Sequence, residues 1–148
     1  VEGSEEKINF VKQWLESFGN NVCVISKENK VKYHASAAIA SNLVVGLISL
    51  SEQLLLECGF DKDSADTALA PIIRGNVEHC LNDGCSAALT GPIERNDTTT
   101  VLKHLKTLSG NSKEIYKAVS RQVLDVAKNK NKDRDYSEME DILKWRTQ

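Results

Sequence analysis

VKYHASAAIASNLVVGLISLSEQLLLECG, Val31 to Gly59, is the stretch on which the fold turns. Its pattern predicts one helix running to a stop at Gly59, a residue that ends helices well because it tolerates a left-handed backbone. At 1.5 Å per residue such a helix is roughly 40 Å long, which is long for a domain within a chain of 148 residues. Its middle, Leu43 to Leu50, is apolar nearly all round, the pattern of a helix buried on every side. One domain of this size has too little material to enclose it, so the sequence predicts a homodimer. The most apolar window, Ala37 to Leu50, is shorter than the ~20 residues a membrane span needs. It also carries Ser41, Asn42 and Ser49. A buried helix, with no membrane partner, is the expectation.

Upstream, Ile8, Val11, Trp14, Leu15 and Phe18 recur at helical spacing behind Ser4, Glu5 and Glu6, a cap and acidic first turn suited to the helix dipole. Gly19 follows as a stop, and NVCVIS (Asn21 to Ser26) is a β-branched run that predicts a strand. A helix and one strand cannot close a sheet. The first 27 residues are therefore expected to be the end of a β-α-β array, and the chain a piece of a longer protein. Downstream the pattern stays helical. Asp61 or Asp63 starts a helix that Pro71 should kink or divide and Gly84 should end. Asp97 caps a helix to about Leu108, closed by Gly110. Ser112 opens another, to about Lys128, with Ile115, Ala118, Val119, Val123, Leu124 and Ala127 on one face. KNKNKDRDY is a charge run expected to be a solvated linker. SEMEDILKW ends the chain as an amphipathic helix with a Ser137–Glu140 capping box.

The composition excludes several classes. A net charge of −2 with 41% hydrophobic and 27% charged residues describes a globular chain without the basic excess of a nucleic-acid binder. The four cysteines form no C-x-x-C pair and are expected to be reduced, mostly buried thiols in a cytoplasmic protein. His79 and Cys80 are sequence neighbours, so on a helix they diverge by about 100°, and no metal site is expected. The G-x-G-x-x-G, P-loop and H-E-x-x-H signatures are absent.

Three segments carry candidate chemistry. In YHASAAIASN (Tyr33 to Asn42), His34, Ala38 and Asn42 are spaced i, i+4, i+8 on a helix and lie along one slowly drifting stripe. Small residues around them leave room for a ligand. Histidine suits proton transfer near neutral pH, although a structural histidine at a helix end fits the same spacing. In LTGPIERND, Gly91 and Pro92 force a turn. Thr90 offers a hydroxyl before it, and Arg95 a planar cation after it, able to grip a carboxylate or phosphate. Pairing of Arg95 with Glu94 or Asp97 on the surface is the alternative. In IIRGNVEH, an Arg74–Glu78 pair and a Gly75 that permits close packing explain the residues structurally.

Together, YHASAAIASN, PIIRGNVEH and LTGPIERND resemble the C-terminal domain of a family of Rossmann-like oxidoreductases of unknown substrate. These are relatives of pyrroline-5-carboxylate reductase, ketopantoate reductase and 6-phosphogluconate dehydrogenase. The resemblance covers roughly residues 31–128. It implies a mainly α, multi-helix 6-phosphogluconate dehydrogenase C-terminal-like domain with a β-α-β remnant before it. The divisions are then residues 1–27 as the end of a Rossmann domain, 28–130 as a helical dimerisation and substrate-pocket domain, and 131–148 as linker and terminal helix. In ketopantoate reductase-like enzymes the corresponding helix carries a lysine and two asparagines facing the nicotinamide and substrate. Here His34 stands at the lysine-like position, Ala38 replaces the middle asparagine and Asn42 matches the last. The resemblance implies NAD or NADP in the longer protein, none bound to this chain alone, and a small-molecule substrate. His34 becomes the catalytic acid–base group, and Asn42, Thr90, Gly91 and Arg95 the substrate-binding set. Two other readings remain at this point: a non-catalytic helical ligand-binding or interaction module, and a purely structural helical dimer.

Overall fold

The computed structural model describes residues 3–144, and among them every regular element is helical. The chain divides into two compact units between Leu47 and Ile48. In the first, α1 (Glu5–Glu16) begins after Ser4, whose side chain makes no capping bond. It ends at Gly19, with φ 80°. Ile8, Val11, Leu15 and Val22 are half-buried, and Trp14 meets Phe18 edge-on with ring centroids 5.4 Å apart.

The expected strand at Asn21–Ser26 does not form: the segment is irregular and unpaired, and no β-α-β remnant exists among the described residues. β-branched residues favour extended backbone, but a strand exists only through a ladder, and none is available here. Val24 and Ile25 are accordingly 53% and 43% exposed.

A continuous helix then runs from Lys27 to Glu57. It opens with a single 3₁₀ turn, continues as α2 (Lys30–Ala38), widens into a π turn at Ile39–Leu43, and resumes as α3 (Val44–Glu57). The expectation of one long helix is met, and within this single chain its first half is left uncovered. Val31, Ile39, Leu43 and Val45 are 78%, 59%, 58% and 66% exposed. The part of the helix that belongs to the first unit is apolar on too many sides for that unit to cover. Among the described residues it is the one helix long and apolar enough to cross a membrane by length and composition, with mean hydropathy 1.6 over its most apolar window.

In the second unit, α4 (Lys62–Asp83) starts on Asp61, whose carboxylate accepts the Ser64 N–H at 2.8 Å. It runs through Pro71 undivided and ends at Gly84, with φ 85°. Gly75 has open space around the position of a Cβ, so close packing does not explain it. A four-residue helix, α5 (Cys85–Ala88), follows in contact with α4 and touches α7. α6 (Thr98–Thr107) begins on Asp97, which accepts the Thr100 N–H and hydroxyl at 2.9 and 2.6 Å.

Gly110 does not close α6. Leu108 and Ser109 are already extended, and Gly110 is the first residue of α7 (Gly110–Lys130). The buried side of α7 is formed by Ser120, Leu124 and Ala127, with Val119 at 40% exposure, so the inner face is turned from the one expected. In α8 (Ser137–Leu143) the expected Ser137–Glu140 box is replaced by Asp135, which accepts the Ser137 N–H at 2.9 Å and its hydroxyl at 3.1 Å.

The core lies wholly in this second unit. Ile93, Val101, Leu105, Leu124, Ala127, Tyr136, Met139 and Leu143 form one cluster, with α8 seated on α6 and α7. Lys117 and Arg121 of α7 hold the end of α8 by donating to the carbonyls of Lys144 (2.7 Å) and Leu143 (2.9 Å).

The three capping carboxylates set an acid limit. Asp61, Asp97 and Asp135 are each held below the ordinary carboxylate range, the first and last chiefly by backbone N–H bonds and Asp97 chiefly by the Thr100 hydroxyl. A depressed folded-state pKa contributes stability that is complete above the unfolded value and is lost as pH falls through the folded one. Stability should therefore fall as pH drops below about 4. Asp97→Asn, which keeps the capping oxygen but cannot titrate, should flatten that decline in urea midpoints measured from pH 6 to pH 2.5. An unchanged acid limb would remove Asp97 from the account.

Candidate functional site

The first candidate segment is built on the long helix. His34 lies on α2 and is exposed; Asn42 lies within the π turn and is also exposed. An α-helix advances about 100° per residue, so positions eight apart diverge by about 80°. A π turn advances less per residue. Inserted between Ala38 and Asn42, it draws Asn42 back towards the line of His34. Ser36 and Ser41 turn their hydroxyls inward, donating to the carbonyls of Tyr33 and Ala37 at 2.7 Å each. Those side chains are absorbed by the helix itself and leave the exposed polar row to His34 and Asn42.

The second candidate segment is the loop between α5 and α6. Gly91 has φ 101°, a backbone that side-chain-bearing residues rarely adopt. The turn that follows is tight: Arg95 N–H donates to Gly91 O at 3.1 Å and Asp97 N–H to Pro92 O at 2.7 Å. Thr90 and Arg95 are exposed, while Ile93 between them is buried in the core. The Arg95 charge also helps to hold the Asp97 carboxyl low, so the guanidinium acts at least on the neighbouring cap. Arg74 is exposed on α4, and the contact on the last turns of that helix is His79–Asp83 at 3.4 Å.

What holds this loop was not apparent from the sequence. The charge run after α7 packs against it instead of forming a solvated tether. Tyr136 is 2% exposed and donates its hydroxyl to Glu94 O at 2.6 Å. Asn131 Nδ2 reaches both Glu94 Oε1 and the Tyr136 hydroxyl at 3.1 Å. Arg134 donates to the same Glu94 carbonyl. Asn96, in the left-handed region at φ 59°, donates to Asp135 O at 2.8 Å. Lys130 reaches Leu89 O at 2.7 Å. The signal in the sequence was Tyr136, an aromatic residue closing a charge run that has no other apolar member after Lys130.

No group of three or more His, Cys, Asp or Glu able to hold a metal ion occurs among the described residues. A family profile matches residues 1–123. The chain belongs to the family described as a domain of unknown function (DUF2520). No curated protein and no solved structure matches it. The DUF2520 match takes in the His34–Asn42 row, the 71–79 segment and the whole 89–97 loop. It ends within α7, short of Tyr136 and α8.

Tyr136→Phe removes a hydroxyl from a site where its partners are part-buried. The loss should cost about 1–2 kcal/mol in urea unfolding. It should also raise amide exchange in residues 89–97 while sparing α4. Unchanged exchange in that loop would show that the hydroxyl does not hold it.

Proposed function

We propose that this DUF2520 chain is the helical dimerisation and substrate-binding part of an NAD(P)-dependent oxidoreductase acting on a small carbonyl, imine or hydroxy compound. The observation that carries the reading is the exposed His34–Asn42 row with a π turn under Asn42. A π turn gives up regular helical bonding and recurs at functional sites. In this reading His34 moves the proton at the reacting atom of the substrate, Nδ1 or Nε2 serving as donor or acceptor near neutral pH. Asn42 orients the reacting group through its amide. In the second unit the Gly91 turn presents the exposed Thr90 hydroxyl and Arg95 guanidinium, groups able to bind a polar or anionic ligand.

When bound, the nicotinamide supplies the hydride. The described residues include no strand and so no strand-to-helix glycine turn of the kind that cradles a pyrophosphate. In this reading the cofactor phosphates are held by residues outside this chain, whose own share is proton transfer, orientation and assembly. The partner is a second copy of the chain, covering Val31, Ile39, Leu43 and Val45 in a cytoplasmic protein. The polar side chains of His34, Asn42, Ser49 and Glu52 along the helix suit a protein partner better than lipid.

Two measurements test the reading. In the longer protein, His34→Ala should cut turnover by ~10²–10⁴-fold with the melting temperature nearly unchanged, because an exposed side chain loses few contacts. Full turnover in that variant would end the catalytic assignment. Light scattering at micromolar concentration should give a dimer mass, and Leu43→Glu should return it to a monomer. A monomer in the unmodified chain, or partition of the chain into lipid vesicles, would remove the dimer.

A further inference from the structure

α4 turns one side inward and leaves the other bare. Ala65 is buried, and Leu69, Ile73 and Cys80 are half-buried. At about 100° per residue these four lie on one side of the helix. Thr67, Ala70, Arg74, Val77 and Leu81 lie on the other and are all exposed, Val77 at 47% and Leu81 at 80%. Their spacing alternates between three and four residues, the pattern of a seam along which two helices pair. Size is ordered along the seam. Thr67 and Ala70 are small and lie towards its start, and Leu81 is large and lies at its end. Charge is ordered as well. The i, i+4 pair expected between Arg74 and Glu78 does not form, and neither side chain has an ion pair or hydrogen bond among the described residues. A cation placed N-terminal to its anion is the weaker order for such a pair. Both charges are left open at the middle of the seam.

We propose that the bare side of α4 is a contact surface for α4 of a second copy of the chain, the two helices running antiparallel. A two-fold axis level with the Gly75–Asn76 peptide sets residue 81 of each copy opposite residue 70 of the other, and residue 77 opposite residue 74. Leu81 then packs over Ala70, large against small, and Val77 over the aliphatic stem of Arg74. In a pair related this way, like flanks of the two helices meet. Arg74 and Glu78 share a flank and lie on opposite sides of the axis, about 2 and 4 Å of rise from it. The guanidinium of each copy therefore comes level with the carboxylate of the other, to within about 1.5 Å of rise. Two Arg74–Glu78 pairs form across the seam in place of the one that the helix leaves open. This charge complementarity selects the antiparallel second copy, since a parallel pair would set Arg74 against Arg74. The contact uses neither the His34–Asn42 row nor the long helix, and stands or falls separately from the proposed function. A seam on one helix is small, so the pairing should have a dissociation constant of ~0.1–1 mM.

The test is sedimentation equilibrium of the full chain carrying Leu43→Glu, which takes away the long-helix contact. Across ~10 μM to ~1 mM the mass should pass from monomer towards dimer. Arg74→Glu and Glu78→Arg, added singly, should each weaken that association about tenfold or more, because each sets like charges across the seam. An equimolar mixture of the two variants should associate again, since each copy then carries the charges that the other lacks. Leu81→Glu should abolish association with the melting temperature unchanged, because the side chain it replaces is exposed. A monomer at the highest concentration, or a mixture that associates no better than its separate variants, would overturn the proposal. So would a lower melting temperature of the monomer with Leu81→Glu, which would mean that the face is covered from within the chain.

Discussion

The bond from the Tyr136 hydroxyl to the Glu94 carbonyl is the constraint on which the second unit depends. It joins residues 42 positions apart and closes a chain path that runs through α6 and α7. Burying a phenol is favourable for its ring and costly for its hydroxyl unless the hydroxyl is bonded. The Glu94 carbonyl meets that demand, and Asn131 and Arg134 bond around the same point. Once the two segments are joined, Ile93 on one and Met139 beyond the other lie in the same cluster. The polar tie and the apolar core are thus two sides of one closure. The Gly91 turn, with Thr90 and Arg95 on it, is held by that closure as well as by its own short-range bonds.

The two units contrast in how they satisfy their apolar surface. All the buried side chains of the core cluster come from the second unit, while the long helix shows large aliphatic side chains to solvent over its first half. Large contiguous apolar patches mark contact surfaces in single chains. The polar row of His34 and Asn42 is set within this apolar field. If a second copy covers the field, as proposed, the row would sit at the polar rim of that interface.

Much of the helical layout was legible in the sequence. Asp61, Gly84 and Asp97 acted as local signals, because a cap or a left-handed stop is decided by a few neighbouring residues. The long helix from Lys27 to Glu57 was legible for the same reason, through its unbroken apolar pattern. What could not be read depends on distant partners. NVCVIS has the composition of a strand and nothing to pair with. Residues 131–136 have the composition of a linker, yet carry the tyrosine that closes the core. Gly110 looked like a stop, but Leu108 and Ser109 had already turned extended before it. At the candidate site, the turn at Gly91 and Pro92 followed from its residue types, although both residues are half-buried. The π turn beneath Asn42 did not, since IASNL has no local feature that demands a wider helix.

The end of the family match inside α7 has its own consequence. Leu124, Ala127, Tyr136, Met139 and Leu143, most of the buried cluster, come after it. The matched stretch is therefore a seat without its cover. Expressed alone it would show water the inner faces of α6 and α7, and the Glu94 carbonyl would lose its phenol. Whatever members of the family hold in common over that stretch, it is not a self-sufficient packing unit in this chain. The boundary drawn by shared sequence and the boundary at which the chain can close its core are different places.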